Sequence, residues 1–456
     1  MERQENKMGV MPVKKLIITM SLPMMISMLV QALYNVVDTY FVAQVSEEAM
    51  TAVTLAFPMQ NLMIAVGSGT GVGINALLSR SLGEKRFDRS DAAANTGLLL
   101  TFVSYVVFLL IGIFATRPFV MTQIVDPVRD RLVADYATTY LRICCCLSIG
   151  VFFQLTFERL LQSTGKTIYS MITQGIGAII NIIFDPILIF GMFGLPKLGV
   201  AGAAAATVLG QIVASIIGMC LNLKKNTEIN FSLTGILHPK AAIVKEIYFV
   251  GVPSILMMSI GSLMTYMMNN ILKAFSNTAI AVFGVYFKLQ SFFFMPVFGL
   301  NNGLIPVLAY NYGARNKERI KQALRFAVIL AVSIMLVGTI VFQLIPEQLL
   351  GLFKASDEML RIGVPALRII SLSFPVAGVC IALGSVFQAF SQSIYSLIVS
   401  VARQLVVLIP SAALLARTGE VTNVWWAFPI AEIASIIMSV ILFRRVYDKT
   451  VGPLPD

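Results

Sequence analysis

The sequence predicts an all-α polytopic membrane protein: twelve transmembrane helices in two pseudo-symmetric six-helix bundles. Three observations carry this. Of 456 residues, 57% are hydrophobic and only 12% charged, with a mean hydropathy of +0.83, whereas soluble domains carry about 25% charge. The apolar residues fall in runs of ~20 or more, long enough to cross a hydrocarbon core ~30 Å thick. The second half of the chain repeats the first.

The apolar runs lie at about 16–41, 52–80, 92–115, 134–162, 168–191, 199–222, 244–273, 278–310, 322–344, 362–388, 394–416 and 424–444. The first follows Lys14 and Lys15, is too long for a signal-peptide core and lacks a small-residue cleavage site, so it reads as a retained helix. Between the sixth and seventh runs stands the polar stretch NLKKNTEINFSLTGILHPK. The organisation expected is an N-terminal bundle over 1–222, a cytoplasmic linker over 223–243 and a C-terminal bundle over 244–456.

A net charge of +11 would suit nucleic acid, but the cations mark topology instead. With both termini cytoplasmic, 22 of the 34 Lys and Arg fall in inner segments and 8 in outer ones, the bias of the positive-inside rule. The inner set begins at Arg3 and Lys7 and includes Lys85, Arg86, Arg159, Lys224, Lys225, Arg315 and Arg319. The expected location is therefore the inner (cytoplasmic) membrane. Cys144, Cys145 and Cys146 are consecutive, and Cys220 and Cys380 stand alone, so neither a disulfide framework nor a metal spacing emerges and the thiols are expected to pack as small hydrophobes. With His238 the single histidine, a His-ligand metal cluster is excluded and a Ser-His-Asp triad is disfavoured. No GK[ST] follows the glycines of VGSGTGVG, so these are read as helix-packing positions rather than a phosphate loop. No enzyme activity, cofactor or metal is expected.

Sliding the sequence by 230 residues lays SLPMMISMLVQAL on GVPSILMMSIGSL, pairing Pro23 with Pro253 and Met28 with Met258. The register holds without a gap through Ser46 and Ser276, Ala49 and Ala279, Gln60 and Gln290, Gly73 and Gly303, to Gly83 and Gly313 in the basic connections SLGEKRF and NYGARNKER. At a shift of 226, QSTGKTIYSMI lies on QAFSQSIYSLI. Six runs precede the linker and six follow, so the halves share one orientation, as in parallel repeats related by an axis along the membrane normal.

Within IINIIFDPILIFG the apolar pattern is broken by Asp185 and Pro186. A charged Asp near a helix centre costs ~2.5–3.5 kcal/mol on insertion scales, which makes Asp185 a functional candidate. Pro186 lacks an N–H and crowds the carbonyl of Ile182, freeing an acceptor beside Asp185 and permitting a bend. Gln31, Tyr34 and Asp38 share one face of the first helix; Asn181 and Asp185, four apart, share a face of the fifth. Facing one another, two carboxyls, an amide and a loose carbonyl can hold a proton or Na⁺. The bland alternative is that each acid satisfies a neighbouring helix. In the second half Lys288 and Arg403 are buried-looking cations, which either pack and snorkel or, with Gln290, line a cavity; Glu432 is expected to pack or to pair structurally.

SLPMMISMLVQALYNVVDTYFV, NIIFDPILIFG followed by GVAGAAAAT, the Gly-basic connections and the duplication together resemble the multidrug and toxic compound extrusion (MATE) transporters, with most likeness to their bacterial and archaeal DinF-type branch. The resemblance spans almost the whole chain. It implies a V-shaped pair of six-helix bundles exporting amphipathic, often cationic, compounds in exchange for H⁺ or Na⁺ by alternating access, functioning as a monomer. It also implies a first-bundle coupling site: Tyr34 and Asp38 of the first helix, Asn181 and Asp185 of the fifth, Tyr140 and Glu158 of the fourth and Thr207 of the sixth, with Gln31 beside them. The repeat partners of Asp38 and Asp185 are Met268 and Ser411, which departs from branches with acids in the second bundle. The competing reading is a flippase of lipid-linked oligosaccharides from the same wider superfamily, which would want a strongly cationic central cavity rather than first-bundle carboxylates.

Overall fold

The computed structural model describes residues 5–124 and 127–455; Arg3, counted above among the inner cations, lies outside them. Every regular element among the described residues is a helix. Ten helices are individually long and apolar enough to span a membrane: spans 1 to 3 (Val13–Ala43, Glu47–Gly83, Phe87–Phe114), 5 and 6 (Thr167–Phe190, Val200–Lys225), 7 to 9 (Ala241–Lys273, Asn277–Gly313, Lys317–Leu344), 11 (Ser393–Ala416) and 12 (within Val421–Thr450). Spans 4 and 10 are bent pairs. Arg131–Cys146 meets Ile149–Ser163 at 47°, and Asp357–Ser371 meets Phe374–Ala389 at 49°. Hydropathy alone reads each as one straight helix, because the break lies inside an unbroken apolar run. In span 10 Pro375 follows the break and removes a backbone donor. Span 11 carries a local departure of its own, a π-helical turn over Ala402–Leu408.

The residues that repeat in sequence repeat because they shape the same local structure. Ser46 Oγ accepts the N–H of Ala49 (3.0 Å) at the start of span 2, and Ser276 Oγ accepts that of Ala279 (3.1 Å) at the start of span 8; each satisfies an orphan donor of the first turn. After these spans the chain turns through left-handed conformations at Lys85 (φ 57°) and Arg315 (φ 56°). A Cβ at Gly83 would lie 1.9 Å from the Tyr310 carbonyl oxygen, and one at Gly313 2.2 Å from that of Arg80, so no larger residue fits either position.

The chain forms two compact units. The first comprises Ile26–Leu78 with Arg86–Gly251, the second Glu5–Met25, Ser79–Lys85 and the chain from Val252 onward. Each unit therefore includes the opening stretch of the other half's first span. In the first unit the start of span 7 lies on span 2, with Val250 against Val72 and Ala76, and Arg89 pairs with Glu246. The VGSGTGVG glycines serve packing: a Cβ at Gly73 would come 2.1 Å from the Ile247 oxygen. The core around spans 2, 4 and 6 includes Ala56, Met63, Tyr140, Leu141, Cys144, Cys145 and Phe152. In the second unit, Arg319 donates to the carbonyls of Met8 (2.9 Å) and Met11 (2.8 Å), fixing the short helix Lys7–Val10 against span 8. Its core is aromatic: Phe342 meets Phe374 at 5.2 Å and Phe283 meets Trp425 at 6.2 Å, offset and edge geometries that favour ring quadrupoles.

Candidate functional site: a carboxylate pair in the first unit

Spans 5 and 6 pack through small residues. A Cβ at Gly210 would lie 2.6 Å from the Gly177 oxygen, and one at Gly202 would lie 2.4 Å from the Leu188 oxygen; Ala203, Ala204 and Ala206 have no exposed surface. The GAAAAT run is thus the groove that lets span 6 approach span 5, and close approach of backbones through small side chains is how membrane helices gain packing energy. It brings Thr207 against Asn181. In the orientation of the Asn181 amide that satisfies both of its ends, Nδ2 donates to Asp185 Oδ2 (3.0 Å) while Oδ1 accepts from the Thr207 N–H (3.0 Å) and hydroxyl (3.2 Å).

Span 1 supplies the other side. The side chains of Asp38 and Asp185 adjoin one another, as do those of Tyr34 and Thr207. Asp185 has 0% of its surface exposed and Asn181 2%. One oxygen of each acid, Asp38 Oδ1 and Asp185 Oδ1, is buried without a hydrogen-bond partner. Two facing carboxyls that are both ionised repel each other in an apolar setting, and the unmatched oxygens each cost desolvation. A proton or a small cation between them removes both penalties, and the chemistry of this donor set, carboxylate and amide oxygens, suits either H⁺ or Na⁺. Span 5 remains helical through Pro186 and ends at Gly191, whose φ of 73° is a left-handed cap.

Tyr140 closes the cluster from span 4, its hydroxyl accepting from Gln60 Nε2 (3.2 Å), which also reaches Cys144 Sγ (3.7 Å). Gln31 lies one turn from Tyr34 and accepts from Gln174 Nε2 (2.9 Å). Glu158 does not join the pair. It is buried, accepts from Gln154 Nε2 (3.0 Å) and lies beside Arg159. Arg159 itself, counted above with the inner-surface cations, is 7% exposed and donates to Gln162 (3.0 Å) and Ser68 (3.2 Å), so it is a buried structural cation.

Gln60, Cys144 and Gln174 are the members of the cluster that the sequence reading did not select. Gln174 carries a usable signal: with Asn181 and Asp185 it is spaced by seven and four, on one helical face. Gln60 had only its repeat partner to mark it.

In the second unit Arg403 Nη1 donates to Glu432 Oε1 at 2.9 Å, so the expected structural pairing of Glu432 is with this arginine. Tyr286 donates to Gln290 (2.8 Å). Lys288 is exposed, with its ammonium 6.0 Å from the Phe353 ring centroid, rather than buried as its apolar neighbours suggest; its flexible stem carries the charge out of the helix packing.

The family model MatE matches residues 23–187 and again 253–414, once in each half. Among curated relatives, the multidrug export protein MepA of Staphylococcus haemolyticus is 28% identical over 94% of this chain and 93% of its own, and a FAD transporter of Shewanella oneidensis is 25% identical over 98% and 97%. Among solved structures, an outward-facing multidrug resistance MATE family transporter of the MOP superfamily is similar with a TM-score of 0.92 at 25% identity, covering 98% of this chain and 99% of that one. A MOP superfamily transporter from Pyrococcus furiosus, described by the reverse polarity of its binding pocket, gives a TM-score of 0.90 at 25% identity over 98% of both chains. A twice-matched family model and whole-length similarity to its members place this chain in the MatE family of multi-pass membrane transporters.

Proposed function

We propose that the chain is a secondary antiporter that exports amphipathic, often cationic, organic compounds in exchange for H⁺ or Na⁺, by alternating access and as a monomer in the inner membrane with both termini cytoplasmic. The observation that supports this most directly is the facing pair Asp38 and Asp185, each with a buried oxygen lacking a partner. Such a pair binds one small cation well and is costly when empty, so occupancy biases the helices that carry it. Linkage then makes any substrate that prefers one arrangement sense the ion. Asn181, Thr207 and Tyr34 position the pair. The multidrug export relatives support the organic-compound substrate class. The second-unit cation Arg403 is neutralised by Glu432, which supplies no strongly cationic site for a lipid pyrophosphate.

The test is uptake of ethidium into everted vesicles under an imposed pH or Na⁺ gradient. Uptake that follows one gradient and is abolished by Asp185→Asn is the expected result. Uptake by the Asp185→Asn protein at the wild-type rate would show that the carboxylate is structural.

A further inference from the structure

Span 11 carries an arginine where span 5 carries a glycine. At the 226-residue shift that lays Tyr169 on Tyr395 and Ser170 on Ser396, Gly177 meets Arg403. Gly177 lies against span 6, where an added Cβ would stand 2.9 Å from that of Ala214. Arg403 instead reaches span 12 and donates Nη1 to Glu432 Oε1 (2.9 Å). Glycine meets the needs of helix packing in the first half, and a partly buried ion pair carries a desolvation penalty that small-residue packing avoids. An ionisable pair kept inside apolar spans therefore points to a task beyond holding two helices together.

The pair is joined by one hydrogen bond, although each partner has capacity for more. Glu432 Oε2 is buried without a hydrogen-bond partner, and 12% of that side chain is exposed. Among the described residues the bond to Glu432 is the sole hydrogen bond of the Arg403 guanidinium, which carries five N–H groups, and 27% of its side chain is exposed. Tyr286, within electrostatic range of both charges, spends its hydroxyl proton on Gln290 (2.8 Å). Arg403 also stands in the π-helical turn Ala402–Leu408, a wide turn of the kind that recurs at functional sites. In a membrane span a charge with an open side turns to a bundle interior or a watery cavity rather than to lipid.

We propose that Arg403 recognises a carboxylate on the transported compound, with Glu432 as the positioning residue that aims the guanidinium; this rests on the reading of the chain as an exporter of organic compounds. The planar guanidinium offers a carboxylate two parallel N–H bonds, a fork that an ammonium group lacks. Because Glu432 already balances Arg403, the site holds no surplus positive charge to draw a polyanion. It suits a compound that carries its own cationic centre beside the carboxylate.

The test is equilibrium binding to the purified full chain in detergent, read by fluorescence anisotropy. It compares rhodamine B, which has a free carboxylate, with rhodamine B ethyl ester, the same cationic dye without one. Arg403→Gln is expected to weaken rhodamine B about tenfold and to leave the ester within about twofold. Arg403→Lys, a point charge, should recover part of that loss. Glu432→Gln keeps an acceptor for Nη1 but removes the balancing charge, so it should tighten rhodamine B by about threefold and not the ester. Should Arg403→Gln fail to fold, the double change Arg403→Gln with Glu432→Gln, which strands no charge, carries the same expectation. A merely structural pair would lower affinity for both dyes alike, and equal loss overturns the proposal. So does a wild type that does not bind rhodamine B, or rhodamine B displaced by excess phosphatidylglycerol, which would mark Arg403 as a lipid headgroup contact. Binding of the ester that persists in those cases leaves the exporter reading standing, and the gradient test on Asp185→Asn decides that reading separately.

Discussion

Asp185 is a carboxylate with no exposed surface, one oxygen held by the Asn181 amide and the other unmatched, facing a second acid across two helices. Asparagine at this position keeps the size and hydrogen-bonding shape but imitates a permanently protonated acid. Asp185→Asn is therefore expected to leave folding intact, to abolish gradient-driven efflux and to remove the ion dependence of substrate affinity, a coupling on the order of 5–150-fold in such systems. Substrate binding to purified protein at two Na⁺ concentrations and two pH values measures it. Asp38→Asn should act in the same direction more weakly, because Asp38 is only partly buried and lacks the Asn181 contact. Met268→Ala, at the repeat partner of Asp38, should leave ion dependence unchanged, since that site offers nothing to titrate. Arg403 and Glu432 lend themselves to a different experiment. Removing either alone strands a partly buried charge, so Arg403→Met should lower thermal stability more than the double change Arg403→Met with Glu432→Leu, in a melting experiment on detergent-solubilised protein.

Among the elements, the pair of spans 5 and 6 decides whether the site exists. Their contact depends on Gly177, Gly202 and Gly210, where even a methyl group would come within 3 Å of other atoms. Gly210→Leu is expected to push span 6 away, separate Thr207 from Asn181 and impair ion coupling in vesicle transport while Asp38 and Asp185 remain in the chain. The start of span 2 gives a milder prediction. Ser46→Ala deletes the bond to the Ala49 N–H and should cost about 1 kcal/mol of stability, read as a lowered melting temperature, with ion selectivity unaffected because the cap lies outside the carboxylate cluster. The bends in spans 4 and 10 belong to this scale as well: they fall at matching places in the two halves, so the duplication preserves backbone shape as well as caps and turns.

For the whole molecule, the duplicated halves differ in chemistry more than in plan. The first unit holds the facing carboxyl pair Asp38 and Asp185; the second holds an aromatic core and the ion pair of Arg403 with Glu432. The antiport proposed above draws on an ion gradient rather than on ATP, and this can be tested directly. Proteoliposomes given ATP without an ion gradient are expected to show no substrate efflux, whereas an imposed gradient restores it; efflux in ATP alone would refute the antiport mechanism.

Hydropathy and repetition by themselves determined the class of the protein, the number of spans and which residues recur, because burial in hydrocarbon selects apolar runs and helix caps and tight turns tolerate few residue types. The spacing of Gln31, Tyr34, Asp38, Asn181 and Asp185 likewise showed which polar groups share a helical face. What lay beyond local periodicity was decided by packing. Only the fold sets Asp38 opposite Asp185, since two helices can each present a polar stripe without those stripes meeting. Only the fold moves Glu158 away to Gln154 and Arg159, buries Arg159 and exposes Lys288, because the surroundings of a long side chain depend on helices far apart in the sequence. The breaks inside spans 4 and 10 were also invisible to hydropathy: an apolar run reads the same whether it is straight or bent.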